Sequence, residues 1–346
     1  MKKITILLLL ISGIFIGSSG LNAQAADHSN ANIQYSVNKI SPGNEVDASS
    51  SFYDLKVKPG QTHRIQARIR NATAKQITVK SKFFTTFTNN SGQIAYTQAA
   101  KKDDTSLQNK ISDFTEIKKG DEQVTIPAKG SRVVTATIKV PQSATGVMLG
   151  SWYFEKTNQN AGKPANGINI NHKYSYALAV KLTTKEISHP KLTLGTVTPG
   201  LKNYRKAVLA TIHNPRPAVM SQLSVKTEVT QKGATTVLFK NTSQNLIMAP
   251  NSHFQYPTFL DKQPMKAGDY TLNMTLTTKD AKWPDQTWRW SKNFTITNEQ
   301  ARQNNRQAKN DPDVPISIWW YVAGVVLIAA ISAGIVYLLM NRKRRQ

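Results

Sequence analysis

Cysteine is absent from all 346 residues. No disulfide can staple the chain, no thiolate can serve as nucleophile, and cysteine-ligated zinc is excluded. Stability must come from buried apolar cores, and the length is ample for two. Acidic residues are scarce: 20 Asp and Glu stand against 45 Lys and Arg, a formal charge of +25. That balance favours anionic partners. Helical periodicity is missing from the first 185 residues or so, and no fixed repeat runs through the chain. Catalytic signatures are missing as well. There is no GxSxG elbow and no GxxxxGK[ST] phosphate cradle. The six histidines, His28, His63, His172, His189, His213 and His253, include no HExxH pair and no carboxylate at a helical ligand interval. Asp103-Asp104 and Asp261…Asp269 lack the oxygen-ligand density of a calcium loop. The expectation is a non-enzyme with no catalytic residue, metal or cofactor.

Two apolar stretches frame the chain. Ile316 to Met340 carries no charge and, at 1.5 Å rise per residue, is long enough to cross a ~30 Å hydrocarbon core. Trp319, Trp320 and Tyr321 suit the headgroup layer at its start, and the basic tail Asn341 to Gln346 suits the cytoplasmic side. At the other end, Lys2-Lys3, the apolar run Ile4 to Ile16 and Ala23-Gln24-Ala25 compose a cleaved signal peptide over residues 1–25. The expected topology is single-pass, N-terminus outside and C-terminus cytoplasmic, with the ectodomain in the cell wall. Removing the four tail charges and the two at the N-terminus leaves about +19 between them. That excess fits wall polymers, lipid headgroups or acidic matrix proteins, and the exported topology speaks against nucleic acid.

Between the frames the pattern is of period two. In Thr62 to Arg70, Ile65, Ala67 and Ile69 alternate with Arg64, Gln66, Arg68 and Arg70. Ser131 to Val140 repeats the pattern. Lys75 to Thr88, turned by Asn89-Asn90-Ser91-Gly92 into Gln93 to Thr97, predicts a hairpin. Lys101 to Gly120 reads as a polar excursion, and Asn158 to Gly167 as a loop between late strands. Residues 26–187 therefore predict one β-sandwich. A second series, Leu192–Val197, Lys206–His213, Gln222–Gln231, Phe254–Leu260, Tyr270–Thr278 and Thr287–Ile296, predicts a smaller immunoglobulin-like sandwich over 188–297. The boundary falls at Lys185 to Pro190. Residues 298–315 predict a polar stalk with a short juxtamembrane helix capped by Asn298, too polar to pack. The fold class is all-β: two tandem immunoglobulin-like sandwiches, that helix and one transmembrane helix.

Four residues are candidates for binding. Arg64, Arg68 and Arg70 form a basic row on one wet strand face; a solvated face or an anionic-polymer site would both use it. Trp283, in a loop before Pro284, is a candidate exposed aromatic anchor, whereas Trp288 and Trp290 share a strand face and suit core packing. Met148 to Phe154, apolar on both faces, predicts a central buried strand with a glycine bulge, the alternative being an aromatic docking surface.

The order of motifs resembles the WxL-interacting proteins of Gram-positive bacteria. In the first half the matching pieces are Phe52-Tyr53-Asp54-Leu55, Lys58-Pro59-Gly60-Gln61, Arg70-Asn71, Asn89-x-x-Gly92-x-Ile94-x-Tyr96, Ile126-Pro127 and Gly146-x-x-x-Gly150. In the second they are Pro190-Lys191-Leu192, His213-Asn214-Pro215, Ala249-Pro250-Asn251-Ser252-x-Phe254, Ala267-Gly268-Asp269-Tyr270, Trp288-x-Trp290 and Phe294-x-Ile296. The resemblance implies a first domain that binds peptidoglycan, a second that binds host-surface or matrix proteins, and association with WxL-domain surface proteins. The chain has no Trp-x-Leu of its own, as suits a partner of such proteins. A membrane-anchored adhesion or scaffold protein is the leading expectation. The alternatives are a surface-assembly chaperone that captures partners by β-strand addition and, more distantly, a wall-modifying enzyme.

Overall fold

The computed structural model describes residues 35–157 and 174–311, together with Ile328 and residues 331–334. The alternation of β3 (Thr62–Asn71) sets the first layer: Ile65, Ala67 and Ile69 are buried, and Arg64, Arg68 and Arg70 point to solvent. It lies between β1 (Tyr35–Ile40) and β9 (Ser131–Lys139), with β7 (Thr115–Ile117) beyond β9. The facing sheet runs β2 (Tyr53–Lys56), β11 (Ser175–Thr183), β10 (Val147–Lys156), β4 (Ile77–Thr85), β8 (Gln123–Ile126). Its ladders are antiparallel except β2 on β11. Ile65, Ala136 and Ile138 from one sheet close on Leu55, Val79, Trp152, Phe154 and Val180 from the other. Burying one such aliphatic or aromatic side chain contributes ~1.5–3 kcal/mol.

β10 is the expected central strand, buried from Val147 to Trp152. It has no bulge at Gly150: the register runs unbroken against β11 and across Gly150↔Thr85 on β4. The glycine answers a packing need instead, because a Cβ there would stand 2.4 Å from Cγ2 of Ile111. Ile111 opens a single 3-10 turn (Ile111–Phe114) inside the polar excursion and is fully buried.

The predicted hairpin forms as β5 (Phe87–Thr88) and β6 (Ile94–Ala95), a two-stranded sheet of its own. It reaches away from the first sandwich and lies on the second. There β12 (Thr193–Lys202), β13 (Arg205–Asn214) and β16 (Ser252–Phe259) form one sheet. The other is ordered β15 (Val237–Met248), β14 (Met220–Gln231), β17 (Gly268–Thr278), β18 (Thr287–Ile296). Val208, Ala210 and Ile212 meet Val225, Leu272, Met274 and Leu276 in the core between them. The 12-residue β15 has no counterpart in the predicted series.

The segment after β18 is neither unpacked nor capped as expected. Helix α1 (Asn298–Gln307) begins at Thr297, whose hydroxyl accepts from the Gln300 amide while the Gln300 side chain accepts from Thr297 N–H, a reciprocal capping box. Asn298 is the first helical residue. Ala301 is buried against the second core, Asn305 holds both backbone groups of Met265, and Asp311 pairs with Lys206 at 2.7 Å. Polar side chains pack here because they satisfy specific backbone groups. The predicted signal peptide, the loop from Asn158, the basic tail and most of the Ile316 to Met340 span lie outside the described residues. Within that span Ile328 and residues 331–334 are helical. Among the described residues no helix is long and apolar enough to cross a membrane.

Candidate functional site

Two surfaces bear chemistry. The first is the outer face of the sheet holding β3. Successive outward positions of one strand are about 6.6–6.8 Å apart, so Arg64, Arg68 and Arg70 form a row. Their cross-strand neighbours are Thr137, Val133 and Ser131 on β9, with Asn38 and Ser36 on β1 beside Arg68 and Arg70. None of the three arginines has a carboxylate within ion-pair reach among the described residues, so the row remains free to meet an anion. The face turns neutral at its far edge, where Lys139 reaches Glu116 at 3.6 Å.

The second surface is the junction of the sandwiches. Thr88 of β5 accepts from Ala249 N–H at 3.0 Å and shares a buried hydroxyl contact with Ser252. Ile247 N–H donates to Gly92 O, and Val147 N–H to Pro217 O at 2.7 Å. The polar excursion supplies Asp104, whose side chain is 3% exposed. Its Oδ1 accepts from the amide and hydroxyl of Ser106 at 3.0 and 2.7 Å. Its Oδ2 faces Nδ1 of His213 at 2.7 Å and Nδ1 of His253 at 3.1 Å. These histidines oppose one another across β13 and β16, with ring centroids 5.3 Å apart. Burial works to raise the Asp104 carboxyl, but the Ser106 amide, His213 and the Ser106 hydroxyl outweigh it and hold the group below the ordinary carboxylate value. Asn251 ties the arrangement together, donating to Ser106 O and Pro215 O. Beside it opens a cleft of about 160 Å³ between Thr85, Gln108 and Asn109 of the first sandwich and Pro215, Pro217 and Pro250 of the second.

The sequence pattern reads the arginine row but not the junction. Asp104 lies 109 residues from His213 and 149 from His253, so no local spacing brings them together. The sequence reading places His213 at the end of the predicted strand Lys206–His213 and leaves His253 one residue before the predicted Phe254–Leu260, whereas β16 begins at Ser252 and includes it. Trp283 corrects the expected exposed anchor. It is 6% exposed and packs in the second core, its indole N–H donating to Ile187 O at 3.1 Å. The physical reason is the Asp280 loop: Trp283 N–H donates to Asp280 O, which turns the ring inward under the segment linking the sandwiches. Trp288 and Trp290 are half-buried against the same core.

Comparison with known proteins agrees with a binding role. The profile described as WxL Interacting Protein, peptidoglycan binding domain, matches residues 35–156. The profile described as WxL Interacting Protein, host binding domain, matches residues 165–306. A search of curated proteins returns no match. Among solved structures, the YadV chaperone is 11% identical, with 74% of this chain and 100% of that one covered and a TM-score of 0.31. The class 5 fimbriae chaperone CfaA is 12% identical, with coverages of 75% and 98% and a TM-score of 0.29. A family 123 glycoside hydrolase from Clostridium perfringens is 13% identical, with coverages of 44% and 27% and a TM-score of 0.25. Likeness at this level carries nothing about activity.

Proposed function

Since the chain belongs to the WxL Interacting Protein family, we propose that it is an adhesion scaffold whose first sandwich holds peptidoglycan or another anionic wall polymer and whose second presents a surface to host matrix proteins. Both matched domains are binding domains, so the chain works as a cell-surface binding protein. The observation that carries the finer reading is the row Arg64, Arg68 and Arg70, exposed and, among the described residues, without a carboxylate in ion-pair reach, on the sandwich that matches the peptidoglycan-binding profile. The same reading divides the chain at Lys185 to Pro190 into two immunoglobulin-like units, places a cleaved signal peptide at residues 1–25 and anchors the protein through Ile316 to Met340. WxL-domain surface proteins complete the assembly as partners. Both matched profiles describe binding rather than catalysis, so binding without chemical conversion is the reading favoured.

Retention of the purified protein on isolated cell-wall sacculi tests it. We expect binding at low salt that falls as salt rises, and a roughly tenfold weaker retention for the Arg64→Gln/Arg68→Gln/Arg70→Gln variant at low salt only. No retention of the wild-type protein would overturn the wall-binding role. Equal retention of the variant would leave that role standing and remove the arginine row from it. A second reading, capture of partners by strand addition, is favoured by one feature: β15 is a 12-residue edge strand with Val237 and Leu238 exposed at its start. A proline at Lys240 would then abolish partner capture while sparing sacculus binding.

A further inference from the structure

We propose that Asp104, His213 and His253 form a site for a divalent transition-metal ion of the zinc class, bridging the two sandwiches. Two imidazoles and one carboxylate are the nitrogen and oxygen donors that such ions prefer. One donor atom from each residue lies within 4.8 Å of the other two. Both histidines present Nδ1 to the same carboxylate oxygen, at 2.7 and 3.1 Å. Donors on a four-coordinate ion with bonds of ~2.0–2.1 Å stand roughly 3.3 Å apart, so the two carboxylate–imidazole separations need to widen by only about 0.2–0.6 Å.

The surroundings are those of ligands already held in place. Oδ1 of Asp104 is fixed by the Ser106 amide and hydroxyl, which leaves Oδ2 aimed at the histidines. Their backbones are locked by direct pairing of His213 with His253. The His213 ring is further confined by Gly195, where a Cβ would stand 2.5 Å from Nε2. Side-chain exposures of 32% for His213 and 27% for His253 keep both rings partly in contact with solvent, from which water or a partner's side chain would complete the shell of a bound ion. Because one ligand comes from the first sandwich and two from the second, a bound ion would tie the junction rather than either core.

The test uses full-length protein without a polyhistidine tag, stripped with chelator and titrated with Zn²⁺ and Co²⁺. Metal analysis should give one ion per chain, and Co²⁺ should develop the visible ligand-field bands of a four-coordinate site. At 100 times the dissociation constant, Zn²⁺ should raise the melting temperature by roughly 5–10 °C. His213→Gln/His253→Gln should lose both signals, whereas His189→Gln, outside the cluster, should keep them. If the double variant does not fold, His253→Gln alone, which leaves the Asp104–His213 contact, should weaken Co²⁺ binding at least tenfold. No stoichiometric binding at about 100 µM Co²⁺, or an unchanged cobalt spectrum in the histidine variants, overturns the site.

Discussion

Trp283 makes the loop beneath the inter-sandwich segment a stability element, and its removal should register in melting rather than in ligand binding. Trp283→Ala opens a large cavity and should cost about 3–5 kcal/mol. Trp283→Phe fills most of the space but leaves Ile187 O without its donor, which should cost about 1–3 kcal/mol. Thermal denaturation measures both, and a change in ligand binding with unaltered melting would contradict the core assignment. Asp280 adds a pH dependence to the same loop. Burial works to raise its carboxyl, but donors from Ser221 and Lys282 outweigh that and hold it below its ordinary value. A depressed folded-state value contributes stability that is present above the unfolded carboxylate value near 4 and lost as pH falls through the lower folded one. The fluorescence difference between wild type and Trp283→Phe should therefore shift toward that of exposed tryptophan below about pH 4, and Asp280→Asn should remove the pH dependence. The sequence hides this residue because Lys-Trp-Pro-Asp reads as a polar turn, while its burial depends on a carbonyl 96 residues away.

At the scale of elements, periodicity exposed strands that have one wet and one dry face and missed those that do not. β3 alternates cleanly because one side packs on Leu55 and Val180 and the other meets solvent. β15 was illegible for the opposite reason: its residues from Val237 to Asn245 are exposed or half-buried on both faces, so Leu-Phe-Lys-Asn-Thr-Ser-Gln carries no period. A bulge at Gly150 followed from reading a glycine in a strand as a backbone device, whereas its cause is the Ile111 side chain arriving from a segment that looked structureless. This gives a coupled prediction. Gly150→Ala should destabilise by about 1–3 kcal/mol through overpacking. Ile111→Ala alone should cost about 2–5 kcal/mol through its cavity. The double variant should cost less than the sum, because the added methyl enters the space that Ile111 vacates. Chemical denaturation of the four proteins measures the coupling, and simple additivity would show that the two side chains do not compete.

For the whole molecule, the residues that carried the family resemblance turn out to crowd the junction. Gly92, Gly146, Asn214, Ala249, Asn251 and Ser252 all belong to the motifs that carry the resemblance. In space, Gly92 is pressed by Leu246, Asn214 donates to Ala218 O and Ala249 O, and Ala249, Asn251 and Ser252 receive Thr88 and Ser106. Hydrogen bonds and close packing across this joint couple the sandwiches, which predicts that they unfold together. Gly146 is the sharpest point at which to break the coupling. Its φ of +72° disfavours any side chain, and a Cβ would stand 2.5 Å from both the ring and the carbonyl oxygen of Pro217. That carbonyl is the acceptor of Val147 N–H, so relieving the clash pulls apart the very contact that joins the two cores. Calorimetry of the wild-type protein should show one transition. Gly146→Ala should lower its midpoint by several degrees or split it in two, while leaving the circular dichroism of the strands intact, since neither core is touched. Two well-separated transitions in the wild-type protein would mean that the junction carries too little energy to couple the sandwiches, and that the two act as independent bodies on a common chain.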